Sequence, residues 1–460
     1  PSTQIQLPHK CRLIICCDGT ASSEYIGDRK SPITNVSRIA RAINKWGDDT
    51  KEIRQIVRYL PGIGTNELNL KGSNLANQAS GKGTWIKSLI LEAYAFLSHN
   101  HATENDEIFL IGFSRGAFAM RCLADFLLKC GLLAKEDLDN LVDLYTAWKD
   151  DRGERENRKH VKIKVCALWD TVATVRDLLP RPRQILSPSQ PNRKFHFVHS
   201  NLLDGIENTF QALSLHEHRY HFFPIVLKKV EAAQILEQCW FAGYHGDVGG
   251  GGKNEILSHF ALIWIIGKLH NFLSISVDQL WTHQGPSAWN IPDERELRAH
   301  DSMTWKWKFM DSRFRRPCCQ FTNEHGAVTS TELIDTGASM ESVHFSAGLL
   351  QYWNAFKPFG ALHKIQPEER EFSRPGQTRS WVLFKPGKSI IRKYRNKAHD
   401  KAVYEIKEQS MDEYERLTLL RWVNYQLKKR QTDMPRLGDP RPNTILAILK
   451  GYLEDPARDE

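Results

Sequence analysis

Four short runs of apolar residues, each ending in polar or glycine-rich sequence, punctuate the first half of the chain: Leu13–Cys17, Glu107–Ile111, Val161–Leu168 and Gln238–Ala242. Strands covered on both faces need not alternate apolar with polar, so unbroken runs of this length predict buried strands of a parallel sheet. Ile56–Leu60, running into Pro61 and Gly62, is a fifth candidate. Between these runs the apolar positions recur at helical spacing over Val36–Trp46, Trp85–Leu97, Ala117–Leu128 and Leu257–Phe272. Alternating strands and helices predict an α/β fold with a mostly parallel sheet and helices on both faces. The pattern breaks after about residue 275, and 275–340, rich in Trp, Arg, Pro and Gly without clear period, reads as an irregular lid or insertion. The expected organisation is a catalytic domain over 1–350 and a basic, partly helical region over 351–460, with one helix predicted at Met411–Lys429.

The strand-to-helix junction Gly112-Phe113-Ser114-Arg115-Gly116 fits G-x-S-x-G. A serine on such a tight turn projects its hydroxyl above the sheet, and glycines two before and two after let strand and helix pass closely beneath it. Arg115, opening the helix, puts its N–H where an oxyanion would develop. A serine hydroxyl needs a base, and the base an orienting acid, in the order Ser, Asp or Glu, His at the ends of later strands. The run VKIKVCALWDTV ends on Asp170 and QCWFAGYHGDVGGGG supplies His245, so Ser114, Asp170 and His245 form the expected triad. Asp247 as acid with His344 as base keeps the same order and stands as the alternative, although Asp247 could equally cap the local helix. Asp18-Gly19-Thr20, directly after the first strand, could complete the oxyanion and substrate contacts or serve as a βα turn capped by Asp18.

Other signals exclude more than they add. Neither NQASGKGT nor HGDVGGGGKN meets a phosphate-binding glycine pattern. His216-Glu217-His218 resembles a metal cluster, but on a helix positions i and i+2 do not face each other, and no C-x-x-C pair is present, so neither metal nor cofactor is expected. With 63 Lys and Arg against 54 Asp and Glu, the net charge of +9 favours anionic partners. The basic run Lys385, Lys388, Arg392, Lys393, Arg395 and Lys397 is a candidate peripheral membrane contact and lacks the interleaved aromatics of a nucleic-acid binder, so no nucleic acid is expected. Cysteines inside apolar runs, such as Cys16, Cys17 and Cys166, suggest a reducing compartment. The stretch PSTQIQLPHKCR lacks signal-peptide order, and the apolar runs are far short of the roughly 20 residues that span a bilayer. The expectation is a soluble cytoplasmic or intracellular protein.

Taken together, CCDGT, PITNVSRIARAI, YLPGIGT, IGFSRGAFAMRCLADFL, CALWDTVA and FAGYHGDVGGG, in that order, resemble the uncharacterised alpha/beta hydrolase family DUF2235. That family includes the type VI secretion phospholipase effectors of the Tle1 class. The resemblance runs from about Arg12 to Ser346 and implies an α/β-hydrolase-like fold and the same triad, Ser114, Asp170 and His245. It also implies a lipid or phospholipid ester as substrate. His216 and His259 depart from the family pattern, outside the triad. A hydrolase of a soluble ester, lactone or amide, and a non-catalytic partner-binding descendant of the fold, are the competing expectations.

Overall fold

A computed structural model of the chain describes residues 10–19, 33–62, 84–152, 158–172, 200–219, 222, 224–252, 256–282, 340–347, 380–383, 404–407, 409, 411–433 and 445–454. In chain order the main elements are β1 (Lys10–Cys17), α1 (Asn35–Ala42), β2 (Ile53–Leu60), α2 (Thr84–Asn100), β3 (Glu107–Phe113), α3 (Arg115–Cys130) and α4 (Leu141–Lys149). There follow β4 (Ile163–Trp169), β5 (Ile206–Ser214), β6 (Ile235–Phe241), α5 (His245–Gly249), α6 (Ile256–Leu269), α7 (Gln279–Thr282) and β7 (Glu341–Val343). The last are β8 (Ser380–Leu383), β9 (Tyr404–Lys407), α8 (Glu413–Asp433) and α9 (Ile445–Glu454).

Strands β1 to β7 form one sheet in the order β2-β1-β3-β4-β5-β6-β7, and every neighbouring pair is parallel. The two-residue period of a strand sorts its side chains between two cores. Ile14 and Cys16 of β1, with Phe109 and Ile111 of β3, face the layer built from α1, α6 and the C-terminal helices. Leu13, Ile15 and Cys17, with Ile108 and Leu110, face α2, α3 and α4. Leu419, Trp422 and Val423 of α8 and Leu446, Leu449 and Leu453 of α9 belong to the first of these cores, so the C-terminal helices pack on the sheet's own covering layer.

The five expected strands are present, and their ends move by a few residues. β5 is the element the hydrophobic pattern does not announce. Its sequence, IENTFQALS, buries Asn208, Thr209, Gln211 and Ser214 in the middle of the sheet. Buried polar groups persist where they find partners. Asn208 Nδ2 donates to Lys164 O at 2.9 Å, and Gln211 Nε2 to Ile225 O at 2.9 Å and Gln238 Oε1 at 2.8 Å. The helix expected over Val36–Trp46 ends at Ala42, because Ile43 turns extended to bridge Ile275 and the Asn44 N–H donates to Ser274 O at 2.9 Å. Two further features escaped the pattern: β7, three residues at the sheet edge, and the pairing of β8 with β9. The Gln409 N–H, just past β9, donates to Val343 O of β7 at 2.8 Å. Most of the expected insertion at 275–340, Thr20 and the basic run from Lys385 to Lys397 lie outside the described residues.

The strand order reverses between β1 and β3: the chain steps outward from β1 to β2, then returns to the other side of β1. In open α/β sheets ligands gather outside the carboxyl ends of strands at such a switch. Asp18 and Gly19 leave β1 there, and Ser114 leaves β3.

Candidate active site

Ser114 sits between β3 and α3 with φ 58° and ψ −123°, a left-handed conformation that a side-chain-bearing residue adopts only where its surroundings enforce it. The enforcement is visible in the flanking glycines. A Cβ on Gly112 would lie 2.6 Å from the Ala117 Cα, and one on Gly116 would lie 2.4 Å from the carbonyl oxygens of both Cys17 and Asp18. The first turn of α3 is thus pressed against β1, and the Ser114 N–H is pinned to Trp169 O of β4 at 2.9 Å. A serine at a helix N-cap ordinarily turns its oxygen back onto the helix's first N–H groups. Here no such bond forms, and Oγ points to His245 instead.

Asp170 ends β4, also at positive φ (43°), and is fully buried. Its N–H donates to Ala212 O of β5 at 2.7 Å, and β5 returns two donors to the carboxylate: the Ser214 N–H to Oδ1 at 3.1 Å and the Ser214 hydroxyl to Oδ2 at 3.0 Å. Oδ2 also meets His245 Nδ1 at 2.6 Å, and His245 Nε2 meets Ser114 Oγ at 2.7 Å. His245 is the first residue of α5, after β6, and is 7% exposed. Its ring contacts Phe113, tilted at 4.6 Å between centroids, and Phe222, edge-on at 4.9 Å. Burial pushes the His245 pKa below its ordinary value, against the opposing hydrogen bond and charge of Asp170. A neutral imidazole held by a carboxylate on one side and a hydroxyl on the other can accept a proton from that hydroxyl. β4, β5 and β6 each bring one partner, and β3 brings the serine.

The alternative pair is not assembled. Asp247 Oδ2 accepts the Tyr244 N–H at 3.1 Å, the local capping role open to it from the sequence. His344, beyond β7, is 1% exposed, with Nδ1 bonded to Ser346 Oγ at 2.8 Å and Nε2 to Glu415 Oε1 of α8 at 2.9 Å. Both nitrogens are therefore engaged: Nδ1 within its own segment, and Nε2 tying the sheet edge to α8. Asp18 is 2% exposed; Oδ2 accepts from the hydroxyls of Thr34 and Tyr59, each at 2.6 Å, and Oδ1 from the Gly19 N–H at 2.7 Å. It brackets β1, β2 and the start of α1. Gly19 still borders the serine: a Cβ there would stand 3.4 Å from Ser114 Cβ. Arg115 opens α3, at the positive end of its dipole, and burial lowers the pKa of its guanidinium.

His216-Glu217-His218 lies just past β5, not on a helix as assumed from sequence. His216 Nδ1 accepts the Gly243 N–H at 2.9 Å and Glu217 is paired with Arg219. Among the described residues no group of three His, Cys, Asp or Glu side chains is arranged to hold a metal ion, and no helix is long and apolar enough to cross a membrane. Ser214, Arg219 and Phe222 are neighbours of the site that sequence reading missed, and Glu217 was weighed there only as a metal candidate. Ser214 ends β5 and the others follow it, and the signal for β5 was a β-branched and aromatic spacing broken by polar residues.

A parallel sheet in this order, with a strained serine between strand and helix at its switch point, defines a protein of the α/β-hydrolase-like class. Residues 11–268 match the family described as "T6SS, Phospholipase effector Tle1-like, catalytic domain", and the chain belongs to that family. An uncharacterized protein of Saccharomyces cerevisiae, YEL023C, is 28% identical over 256 residues, which is 49% of this chain and 36% of the yeast protein. Two solved structures, a Tle1 effector bound to the VgrG spike of the type 6 secretion system and an uncharacterized protein from Pseudomonas aeruginosa, are each 16% identical, with TM-scores of 0.31 and 0.36. They cover 53% and 59% of this chain, and 51% and 47% of theirs. The chain thus spans about half, or less, of the length of these relatives.

Proposed function

We propose that the protein is a serine hydrolase that cleaves carboxylic esters of phospholipids through an acyl-enzyme. The observation that carries the reading is the continuous line from Asp170 Oδ2 through the His245 ring to Ser114 Oγ, with links of 2.6 and 2.7 Å. His245 Nε2 takes the Ser114 proton as Oγ attacks the ester carbonyl, and Asp170 holds Nδ1–H and stabilises the imidazolium. The Arg115 N–H is the first oxyanion donor. A second comes from the backbone after β1, where the Gly19 N–H exchanges Asp18 Oδ1 for the oxyanion; Thr20 is the other donor proposed from the sequence. Removing one such donor costs on the order of 3 kcal/mol of barrier. The imidazolium returns its proton to the leaving alcohol, and water, activated by the same base, releases the fatty acid.

The lipid class rests on the family description and on the net charge of +9, which draws the protein to anionic interfaces. Lys385, Lys388, Arg392, Lys393, Arg395 and Lys397 are proposed as the membrane-facing cations. The test compares vesicles of phosphatidylglycerol and of phosphatidylcholine with monomeric p-nitrophenyl butyrate, reading fatty acid, lysophospholipid and nitrophenol. The proposal expects fatty acid and lysophospholipid from vesicles, lost in Ser114→Ala. Turnover of the monomeric ester alone favours a soluble-ester hydrolase, and no turnover by folded protein favours a partner-binding descendant.

A further inference from the structure

An ion pair stands beside the His245 ring that the hydrolytic steps do not themselves require. Glu217, three residues past β5, has a fully buried side chain. A carboxylate survives such a position only when paired and hydrogen-bonded. Arg219 supplies both: Nε donates to Oε1 at 2.9 Å, Nη2 to Oε2 at 2.7 Å, and its own backbone N–H to Oε1 at 2.8 Å. Two routes then lead from this pair to the imidazole. Glu217 Oε2 accepts a long bond from the His245 backbone N–H at 3.4 Å. The Arg219 guanidinium lies over the Phe222 ring, Cζ 3.6 Å from its centroid, and that ring meets the His245 ring edge-on at 4.9 Å.

We propose that Glu217 and Arg219 are positioning residues, a clamp that fixes the backbone of His245 through the carboxylate and its ring through Phe222. The inference rests on the Ser114–Asp170–His245 reading above. A buried ion pair is seldom more stabilising than apolar side chains of the same volume, so stability alone is a poor reason for this one. Its geometry supplies another. Asp170 sets the hydrogen-bond direction at Nδ1, and two phenyl rings contact the imidazole: Phe113, tilted at 4.6 Å, and Phe222, edge-on at 4.9 Å. Of these, Phe222 is the one backed by the guanidinium.

The pair also balances charge at the imidazole. The ionisable groups facing His245 are Asp170 from the end of β4 and Glu217 and Arg219 from the segment after β5, with Tyr244 and Asp247 on either side of it in its own segment. Burial is the chief influence lowering the His245 pKa, opposed by Asp170; within the pair, Arg219 lowers it and Glu217 raises it. Removing either member leaves the other uncompensated, and the two removals act in opposite directions.

The experiment measures the rate of fluorophosphonate labelling of the full chain against pH for wild type, Glu217→Gln, Arg219→Gln and Arg219→Lys, with folding checked by thermal melts. Labelling requires neutral His245, so its rate rises with pH through the imidazole pKa. Arg219→Gln is expected to move the midpoint up and Glu217→Gln to move it down. Both are expected to lower the plateau rate about tenfold as the ring loses its backing. Arg219→Lys keeps the charge and loses the planar fork, so the midpoint stays and the plateau falls. A merely structural role lowers folded yield without opposed midpoints. Midpoints that coincide or move together, or plateau rates equal to wild type, overturn the clamp; if the Gln variants do not fold, a wild-type plateau in Arg219→Lys overturns it. Labelling of the wild type at Ser114 with indifferent variants defeats the clamp alone, whereas a folded wild type that does not label defeats the hydrolase reading and the clamp with it.

Discussion

Adding one methyl group at Gly116 tests the elbow more sharply than removing the serine, because it leaves every reacting group in place. A Cβ at that position stands 2.4 Å from two backbone carbonyl oxygens, those of Cys17 and Asp18, and 2.8 Å from the Cys17 carbonyl carbon. Neither obstacle is a flexible side chain. To reach even 3.0 Å, about the closest approach real Cβ atoms make, the first turn of α3 must retreat from β1 by roughly 0.6 Å. Ser114 lies two residues upstream on the same rigid turn, so a comparable shift stretches the 2.7 Å Oγ–Nε2 contact past the roughly 3.2 Å limit of a useful hydrogen bond. A displacement on this scale lowers the rate about 100-fold, close to 3 kcal/mol of barrier, and overpacking costs a further 1 to 3 kcal/mol or so of stability. The assay is the rate of fluorophosphonate labelling of Gly116→Ala, normalised to folded protein by circular dichroism. Gly451→Ala is the matched control: nothing stands within 4 Å of its Cβ, and alanine in α9 should stabilise by about 0.8 kcal/mol with labelling unchanged. Gly116→Ala labelling within threefold of wild type would refute the argument that backbone contact at β1 sets the serine.

Three other outcomes follow from the same geometry. Asp170→Asn keeps the shape but not the charge or the tautomer, and turnover should fall on the order of 10⁴-fold with Tm little changed; a loss below tenfold contradicts the proposed acid. His344→Ala strands the buried Glu415 carboxylate and should cost about 3 kcal/mol in chemical denaturation while labelling per folded molecule stays at the wild-type rate; lost labelling in folded protein would revive His344 as the base. His216 is pushed down to about 3 by burial, with His218 adding to the effect. The unfolded chain protonates this side chain near 6.5 and the folded one resists, so stability is lost as pH falls through that window. The loss from this residue is about 2 kcal/mol by pH 5, and His216→Asn should lose that much less between pH 7 and 5.

What could be read in the sequence follows from where polar groups sit. β1, β3 and β4 announce themselves because their central residues are apolar on both faces, β6 does through its apolar end Cys239-Trp240-Phe241, and the elbow does because Gly112 and Gly116 bracket a serine at a strand end. Asp170 and His245 were legible as the residues on which later strands end. β5 was not, since Gln211, Asn208 and Ser214 look like loop residues until the strands that satisfy them stand alongside. With it went Arg219 and Phe222. His344 looked like a candidate base because sequence order cannot reveal that Glu415, 71 residues later, closes on its ring. The switch between β1 and β3 was equally invisible, because strand order depends on which edge a chain joins.

The most direct measurement is intact-mass and peptide mapping of folded protein after fluorophosphonate treatment. The account predicts a single adduct on the peptide bearing Ser114, absent in Ser114→Ala and slowed at least 100-fold or so in His245→Gln. An adduct on any other residue, or folded protein that stays unmodified, contradicts it.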